Sequence, residues 1–459
     1  MTSDRRGFIK SAAAALIFSG FQGRAWAKGA LPAPDSPAFA DWLRAEARSL
    51  FAKNRIESVI GVFHVPSIET YRSFFAWDSG WNVISLMRLD PALALAELET
   101  IFRVKADDGH VPHAVRVPEL KEREPLRMAL IHLVRRQYDE QGRSHFIDPP
   151  SFLVAAGRLY EQSRDPRVLA LLPAMEHCAR YLTEDRDLFG DGLVSIIHPW
   201  ESGTDTAPVF DEPMGVSMRE PGAPFKTLSR YVKLLNFAAE QGWDLGRLAA
   251  ADRFVFEDAG MNSITAAGLL ALSGLFEEAG EPARAAKWRS RAESMIAAME
   301  ELLWDEGAGF FYPRYGLNSP RLSRRRCLTG ALPLLTGLVS EDKAHRVLEG
   351  ALKSAGHFLG PWLVPFNSIS ELAGERIALE EFMLWRGHCI WMNMNWMAAR
   401  SAEAYGDRAH ARAIMQSSLE LIAASGFREF YDPRTGAGGG AGGFTWPALA
   451  LDMIERYGG

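Results

Sequence analysis

Ser151-Phe152-Leu153-Val154-Ala155-Ala156-Gly157-Arg158-Leu159-Tyr160, a break at Arg164-Asp165-Pro166, and a second periodic run ending at Leu182 decide how this chain folds. Apolar and small residues recur at helical spacing in the first half, so a helix is expected there. Proline cannot continue a helix and aspartate caps the next one, so the two halves read as a helical hairpin. The same grammar returns at Ser263–Leu303, broken at Gly280-Glu281-Pro282, and at Trp391–Ser425, broken at Gly406-Asp407. Each time an apolar, small-residue helix precedes a more charged amphipathic one, as in Arg284-Ala285-Ala286-Lys287-Trp288. Further helices are expected at Asp35–Lys53, Trp77–Arg88, Pro91–Val104, Lys226–Gln241, Arg324–Leu338, Ser340–Lys353 and Thr445–Tyr457.

Repeated hairpins with a buried inner helix and a wetter outer one stack into a solenoid or close into a ring. The connections favour the ring. Turns on one side are short, like 164–166, whereas 184–224 and 426–444 are long and aromatic, and long loops are usually functional. The expected fold is all-α: an (α/α)6 barrel, a toroid of about six hairpins with one functional face. No linker rich in proline or glycine divides the chain after residue 27, so 28–459 is read as one barrel domain.

The chain opens with Arg5-Arg6-Gly7-Phe8-Ile9-Lys10, then the apolar run Ala12–Phe18, then Ala25-Trp26-Ala27. That is the pattern of a Tat signal peptide over 1–27, with cleavage before Lys28. The apolar run is too short to span a bilayer, so a cleaved signal is expected and no membrane anchor. The expected location is periplasmic or secreted, with the Tat export machinery as a partner.

A net charge of -6 without a basic stripe gives no reason to expect nucleic acid. Cys178, Cys327 and Cys389 are isolated in apolar surroundings and read as buried free thiols. Neither cofactor nor metal is expected: there is no Cys/His cluster, phosphate loop or Gly-x-Ser-x-Gly elbow. Asp185–Gly192 loosely resembles a calcium loop but lacks a ligand at the required spacing and a terminal glutamate. The 13 tryptophans and 26 phenylalanines often sit beside Asp, Glu or Arg, a combination that suits sugar rings with an apolar face and a hydroxyl rim.

Two segments carry the chemistry. One is His198-Pro199-Trp200-Glu201-Ser202-Gly203-Thr204-Asp205, and the other Phe427-Arg428-Glu429-Phe430-Tyr431-Asp432-Pro433, leading through a glycine run to Trp446. A lone loop acid is ordinarily a solvated charge. Two carboxylates in aromatic-walled loops are what acid–base cleavage of a glycosidic bond requires. The glycines from 436 to 443 read as a flexible loop over Glu429. Trp77-Asp78-Ser79-Gly80-Trp81, the loop His110–Arg116, Asp148-Pro149-Pro150, and Trp385-Arg386-Gly387-His388 with the following Asn393 and Asn395 complete the candidate set.

These motifs, in this order from Phe74 to Trp446, resemble the inverting glycosidases of glycoside hydrolase family 63. The likeness is greatest to small bacterial members acting on mannosylglycerate and glucosylglycerate, with the trehalases of family 37 as more distant relatives. It is carried by Trp-Asp-Ser-Gly at 77–80, Glu-Ser-Gly-x-Asp-x-x-Pro at 201–208, Trp-Arg-Gly at 385–387 and Glu-Phe-Tyr-Asp-Pro-x-Thr-Gly at 429–436. The resemblance implies an (α/α)6 barrel, with Asp205 as general acid and Glu429 as general base. Trp77, Trp200, Trp385 and Trp446 would wall the sugar site. Asp78, Glu201, Arg386, Gly387 and one of Asn393 or Asn395 would meet the hydroxyls. His113 and Arg116 are expected to receive an anionic aglycone such as glycerate, unless Arg116 pairs with Glu119. Two positions depart from the family pattern: His388 stands where proline is common, and Asp148 where glutamine is expected. The competing readings are a trehalase or oligosaccharide α-glucosidase, an epimerase or lyase using His113 or His388, and a sugar-binding toroid without catalysis.

Overall fold

Arg164 ends the helix Ser151–Ser163 in the left-handed region at φ 50, and Asp165 caps the next turn by accepting from the Arg167 amide. The chain then returns as Pro166–Leu169 and Leu172–Arg180. This computed structural model describes residues 31–120, 132–217, 220, 222–371 and 384–458. The twin-arginine segment lies outside the described residues. The other two hairpins form as Ala259–Glu278 with Pro282–Leu302, and Met392–Ala404 with Arg408–Ser425. Further helices run over Pro37–Asn54, Ala76–Leu86, Pro91–Arg103 and Ala223–Glu240.

Two expected helices differ for the same reason. The 324–338 stretch is a 3-10 segment, Leu328–Thr336, with Pro333 inside it. The 445–457 stretch begins with the 3-10 turn Trp446–Leu449, holding Pro447, before the helix Ala450–Tyr457. Proline supplies no amide to the ladder and crowds the preceding turn, so the α-helical pattern yields. The expected 340–353 helix is Glu341–Val347, widening into a π-turn at Leu348–Leu352.

Six described inner segments touch in chain order and close on themselves. Ala76–Leu86 packs on Ser151–Ser163, which packs on Ala259–Glu278, followed by Leu328–Thr336, Met392–Ala404 and Trp446–Leu449, the last lying against Ala76–Leu86 again. Closure makes a toroid and excludes a solenoid. The sixth outer helix is Pro37–Asn54, which packs against Trp446–Leu449 and Ala450–Tyr457 and so joins the two ends of the described chain. All eleven residues of Ala76–Leu86 are buried, as an inner helix of a ring must be. Close approach depends on small residues. A Cβ at Gly80 would lie 2.1 Å from Ser151 Oγ, and one at Gly268 2.9 Å from Leu153 Cβ.

Trp77, Ser151, Trp391 and Trp446 all stand at the starts of inner segments. The face carrying those N-termini also carries the long connections. Short antiparallel ribbons brace it: Phe74–Phe75 with Ala114–Val115, and Arg428–Tyr431 with Gly438–Gly442. Cys178, Cys327 and Cys389 are buried free thiols. In the acidic turn, Asp187 accepts the amides of Asp191 and Gly192 while Asp191 pairs with Arg314, so these carboxylates are engaged within the protein.

Candidate active site

Glu429 sits on the strand Arg428–Tyr431, whose register with Gly438–Gly442 slips between Arg428 and Phe430. Its Oε2 accepts the Ala441 amide at 2.7 Å, and its Oε1 accepts the Tyr71 hydroxyl at 2.5 Å. The glycine run is therefore not a loose loop over the acid, as expected, but a paired strand that supplies one of its donors. Glycine is required at 440: φ is 63, and a Cβ would lie 2.4 Å from Glu429 Oε2. Tyr71 is aimed by a turn in which Ser67 Oγ donates to Gly442 O at 2.9 Å, fastening it to the same ribbon. Burial raises the Glu429 pKa, while the Ala441 amide, the Tyr71 hydroxyl and the Arg428 charge oppose that rise.

Asp205 lies in an irregular loop between the 3-10 turns Pro199–Ser202 and Pro208–Phe210. Its backbone carbonyl accepts the Tyr231 hydroxyl at 2.8 Å. Burial, reinforced by the charge of Glu429, pushes its carboxyl up to about 7. Asp205 and Glu429 line one pocket with about 540 Å³ of empty space.

Two more carboxyls face the pocket. Asp78 belongs to the first turn of Ala76–Leu86, whose N-cap is Phe75, so it is not the cap of that helix. Asp148 Oδ2 accepts the Trp77 amide at 3.1 Å. Burial and neighbouring acids raise both well above the usual carboxylate range. A protonated carboxyl can donate a hydrogen bond as well as accept one.

Aromatic rings form the walls. Trp385 stacks on Trp391 with centroids 3.7 Å apart, and Trp446 lies 6.1 Å from the first and 5.9 Å from the second. Trp77 meets Trp446 edge-on at 6.5 Å, and Phe444 meets it at 4.9 Å. His113, next to Phe75, completes the lining. Burial and His110 lower its pKa to about 4, so it is a neutral imidazole and not the cation expected for an anionic aglycone.

The structure thus brings together Trp77, Asp78, His113, Asp205, Trp385, Glu429 and Trp446. It separates the others. Glu201 is fully buried against Arg186, at 2.7 and 3.1 Å, and also accepts the amides of Ile147 and Ile197, so its carboxylate is saturated away from the pocket. Trp200 packs with His198, Phe146 and Tyr231 behind the wall. Arg116 lies 3.8 Å over the Tyr138 ring, while Glu119 accepts the Val59 amide. Arg386 is buried and paired with Asp211, and the Gly387 carbonyl is held by Asn367. Asn395 bonds to Leu363, Val364 and Ser418, and Asn393 to the Met394 amide, both inside the barrel. Each polar side chain found away from the pocket is engaged by a protein partner. Sequence reasoning misses Tyr71, because nothing local distinguishes a tyrosine whose partner is 358 residues away. Asp148, from the candidate set, lines the pocket as well, as do Trp391, Phe75 and Phe444, which no spacing rule marks.

The closed ring of inner and outer helical segments is the fold of the six-hairpin glycoside hydrolases. Residues 71–447 match the model of the mannosylglycerate hydrolase MGH1-like glycoside hydrolase domain, and the chain belongs to that family, within glycoside hydrolase family 63. It is 29% identical to mannosylglycerate hydrolase of Thermus thermophilus over 85% of this chain and 96% of the relative. It is 24% identical to glucosylglycerate hydrolase of Mycolicibacterium hassiacum over 83% and 91%. The crystal structure of the family 63 mannosylglycerate hydrolase from Thermus thermophilus with Tris and D-glycerate aligns with a TM-score of 0.75 at 27% identity, over 90% of this chain and 100% of that one.

Proposed function

We propose that this glycoside hydrolase cleaves a small α-glucoside or α-mannoside of glycerate with inversion, using Asp205 as general acid and Glu429 as general base. The observation that carries the assignment is the unequal setting of two carboxyls in one aromatic pocket. Asp205, governed by burial, holds a proton near neutral pH and gives it to the leaving oxygen. Glu429, held by Tyr71 and the Ala441 amide, is stabilised as the anion and takes a proton from the attacking water. Attack from the face opposite the leaving group inverts the anomeric carbon, which calls for carboxyls roughly 6.5–9.5 Å apart. Trp385 and Trp446 offer apolar faces to the ring, while Asp78 and Asp148 offer hydrogen bonds to its hydroxyls.

The aglycone rests on the relatives. Arg116 is stacked on Tyr138 and His113 is neutral, so glycerate is inferred from the named substrates of similar enzymes and not from a cation in the pocket. The test is turnover of α-mannosylglycerate, α-glucosylglycerate and trehalose followed by anomer-resolved NMR. The β-hexose is expected first, from a glycerate glycoside. First release of the α-anomer would overturn inversion, and turnover of trehalose alone would overturn the substrate class. We further propose that residues 1–27 direct export of the folded enzyme. Supporting this are the twin Arg5-Arg6 and the Ala25-Trp26-Ala27 site, and replacing both arginines by lysine should retain the enzyme in the cytoplasm of its host.

A further inference from the structure

One buried side chain grips the Trp385–Gly387 turn. Asn367 is 1% exposed, and its Nδ2 donates to the carbonyls of Trp385 at 2.9 Å and Gly387 at 2.5 Å, one on each side of Arg386. Its Oδ1 accepts from Cys327 Sγ at 2.9 Å, and its own carbonyl accepts from His388 Nδ1 at 3.0 Å. Two acceptors on one side and a thiol donor on the other leave the amide a single orientation. The turn it holds is fastened in turn to the loop bearing Asp205. Trp385 N–H donates to Thr206 Oγ1 at 3.1 Å, and the Arg386 guanidinium pairs with Asp211.

We propose that Asn367 is a positioning residue of the active site: by fixing both peptides around Arg386 it sets the Trp385 face for the sugar and the seating of the Asp205 loop. The inference rests on the catalytic reading above. No other side chain of similar size does the same work. Aspartate would set a carboxylate against two carbonyls, and alanine would leave both buried carbonyls without a donor. Arg386 transmits the effect because it cannot stay on Asp211 if its own peptides move. Asp205 faces Asp78 from the first inner helix, Asp148 before the second, Tyr231 from Ala223–Glu240, and Tyr71 and Glu429 from the opposite wall. A shift of its loop therefore changes its titration.

Asn367→Ala and Asn367→Asp should lower kcat/KM by about 30-fold or more, in keeping with the roughly 10²-fold cost of a 1 Å misplacement. KM should rise, and the alkaline limb of the pH profile should move while the acid limb stays. Glucose binding, read by calorimetry without turnover, should weaken by about tenfold through the displaced Trp385 face. Thr206→Val removes the bond from Trp385 to the acid loop and should move the alkaline limb in the same direction by less. Folded Asn367 variants with kcat/KM and glucose affinity within about twofold of the parent would overturn the proposal. If those variants do not fold, an unmoved alkaline limb in Thr206→Val overturns it instead. Full activity of Asp205→Asn would refute the catalytic reading separately, and glucose binding would still decide the role of Asn367.

Discussion

The two carboxyl groups assigned to catalysis are held by different kinds of structure. Glu429 lies on a paired ribbon and receives a hydroxyl and an amide, each at fixed distance. Asp205 lies on an irregular loop whose backbone is tied by Tyr231 and whose carboxyl is governed by burial. Burial raises both carboxyls, but at Glu429 the Tyr71 hydroxyl, the Ala441 amide and the Arg428 charge oppose that rise, so the anion is favoured more there than at Asp205. Asp205 and Glu201, close neighbours in the chain, repeat the lesson. Glu201 is wholly buried too, but Arg186 and two amides hold it as a structural anion.

The contrast between Asp205 and Glu429 is broken most severely by neutralising either group. Asp205→Asn and Glu429→Gln should each lower kcat by at least about 10³-fold with an unchanged thermal melt. Retained turnover by either variant would remove that residue from the mechanism. Arg186→Met sharpens the comparison with Glu201. It strands a buried carboxylate and should cost about 3–5 kcal/mol in denaturant melts, with Glu201→Gln in the same background recovering part of the loss. Glu201→Gln alone should lower stability without moving the pH profile.

Tyr71→Phe tests the hydroxyl that holds Glu429, with a fall in kcat of about 10- to 100-fold expected if Glu429 is the proposed base. Tyr71 lowers the Glu429 pKa, so its removal raises that pKa and moves the acid limb of the rate profile to higher pH. An acid limb that stays in place would show that the 2.5 Å contact does not tune Glu429. In Glu429→Gln the negative charge that raises Asp205 is gone, so Asp205 should titrate below its present value of about 7, measurable by NMR. The smallest effect is expected for Arg116→Ala. With Arg116 on Tyr138, the ratio of turnover on glucosylglycerate to turnover on trehalose should stay within about twofold.

Much of this molecule follows from local chemistry. Periodic apolar residues make helices, and Asp165-Pro166, Gly280-Glu281-Pro282 and Gly406-Asp407 end them. Those signals act within a few residues, so three hairpins and their inner and outer faces are legible along the chain. The order of the Glu-Ser-Gly-x-Asp and Glu-Phe-Tyr-Asp motifs likewise points to family 63 from the amino acids alone. Pro333 and Pro447 are equally visible there, but only packing into the ring settles that the chain continues through them as 3-10 turns.

What only the tertiary structure decided depends on partners distant in sequence. Pro37–Asn54 becomes the sixth outer helix because it meets Ala450–Tyr457, a contact with no local signature. Glu201 leaves the candidate site because Arg186 reaches it, Asn395 because the 363–364 backbone does, and Arg116 because Tyr138 lies beneath it. Tyr71 enters because the ribbon carrying Glu429 folds over it. A side chain's type limits which bonds it can form, but burial and the nearest donor decide which it does form, and both are set by the closure of the ring.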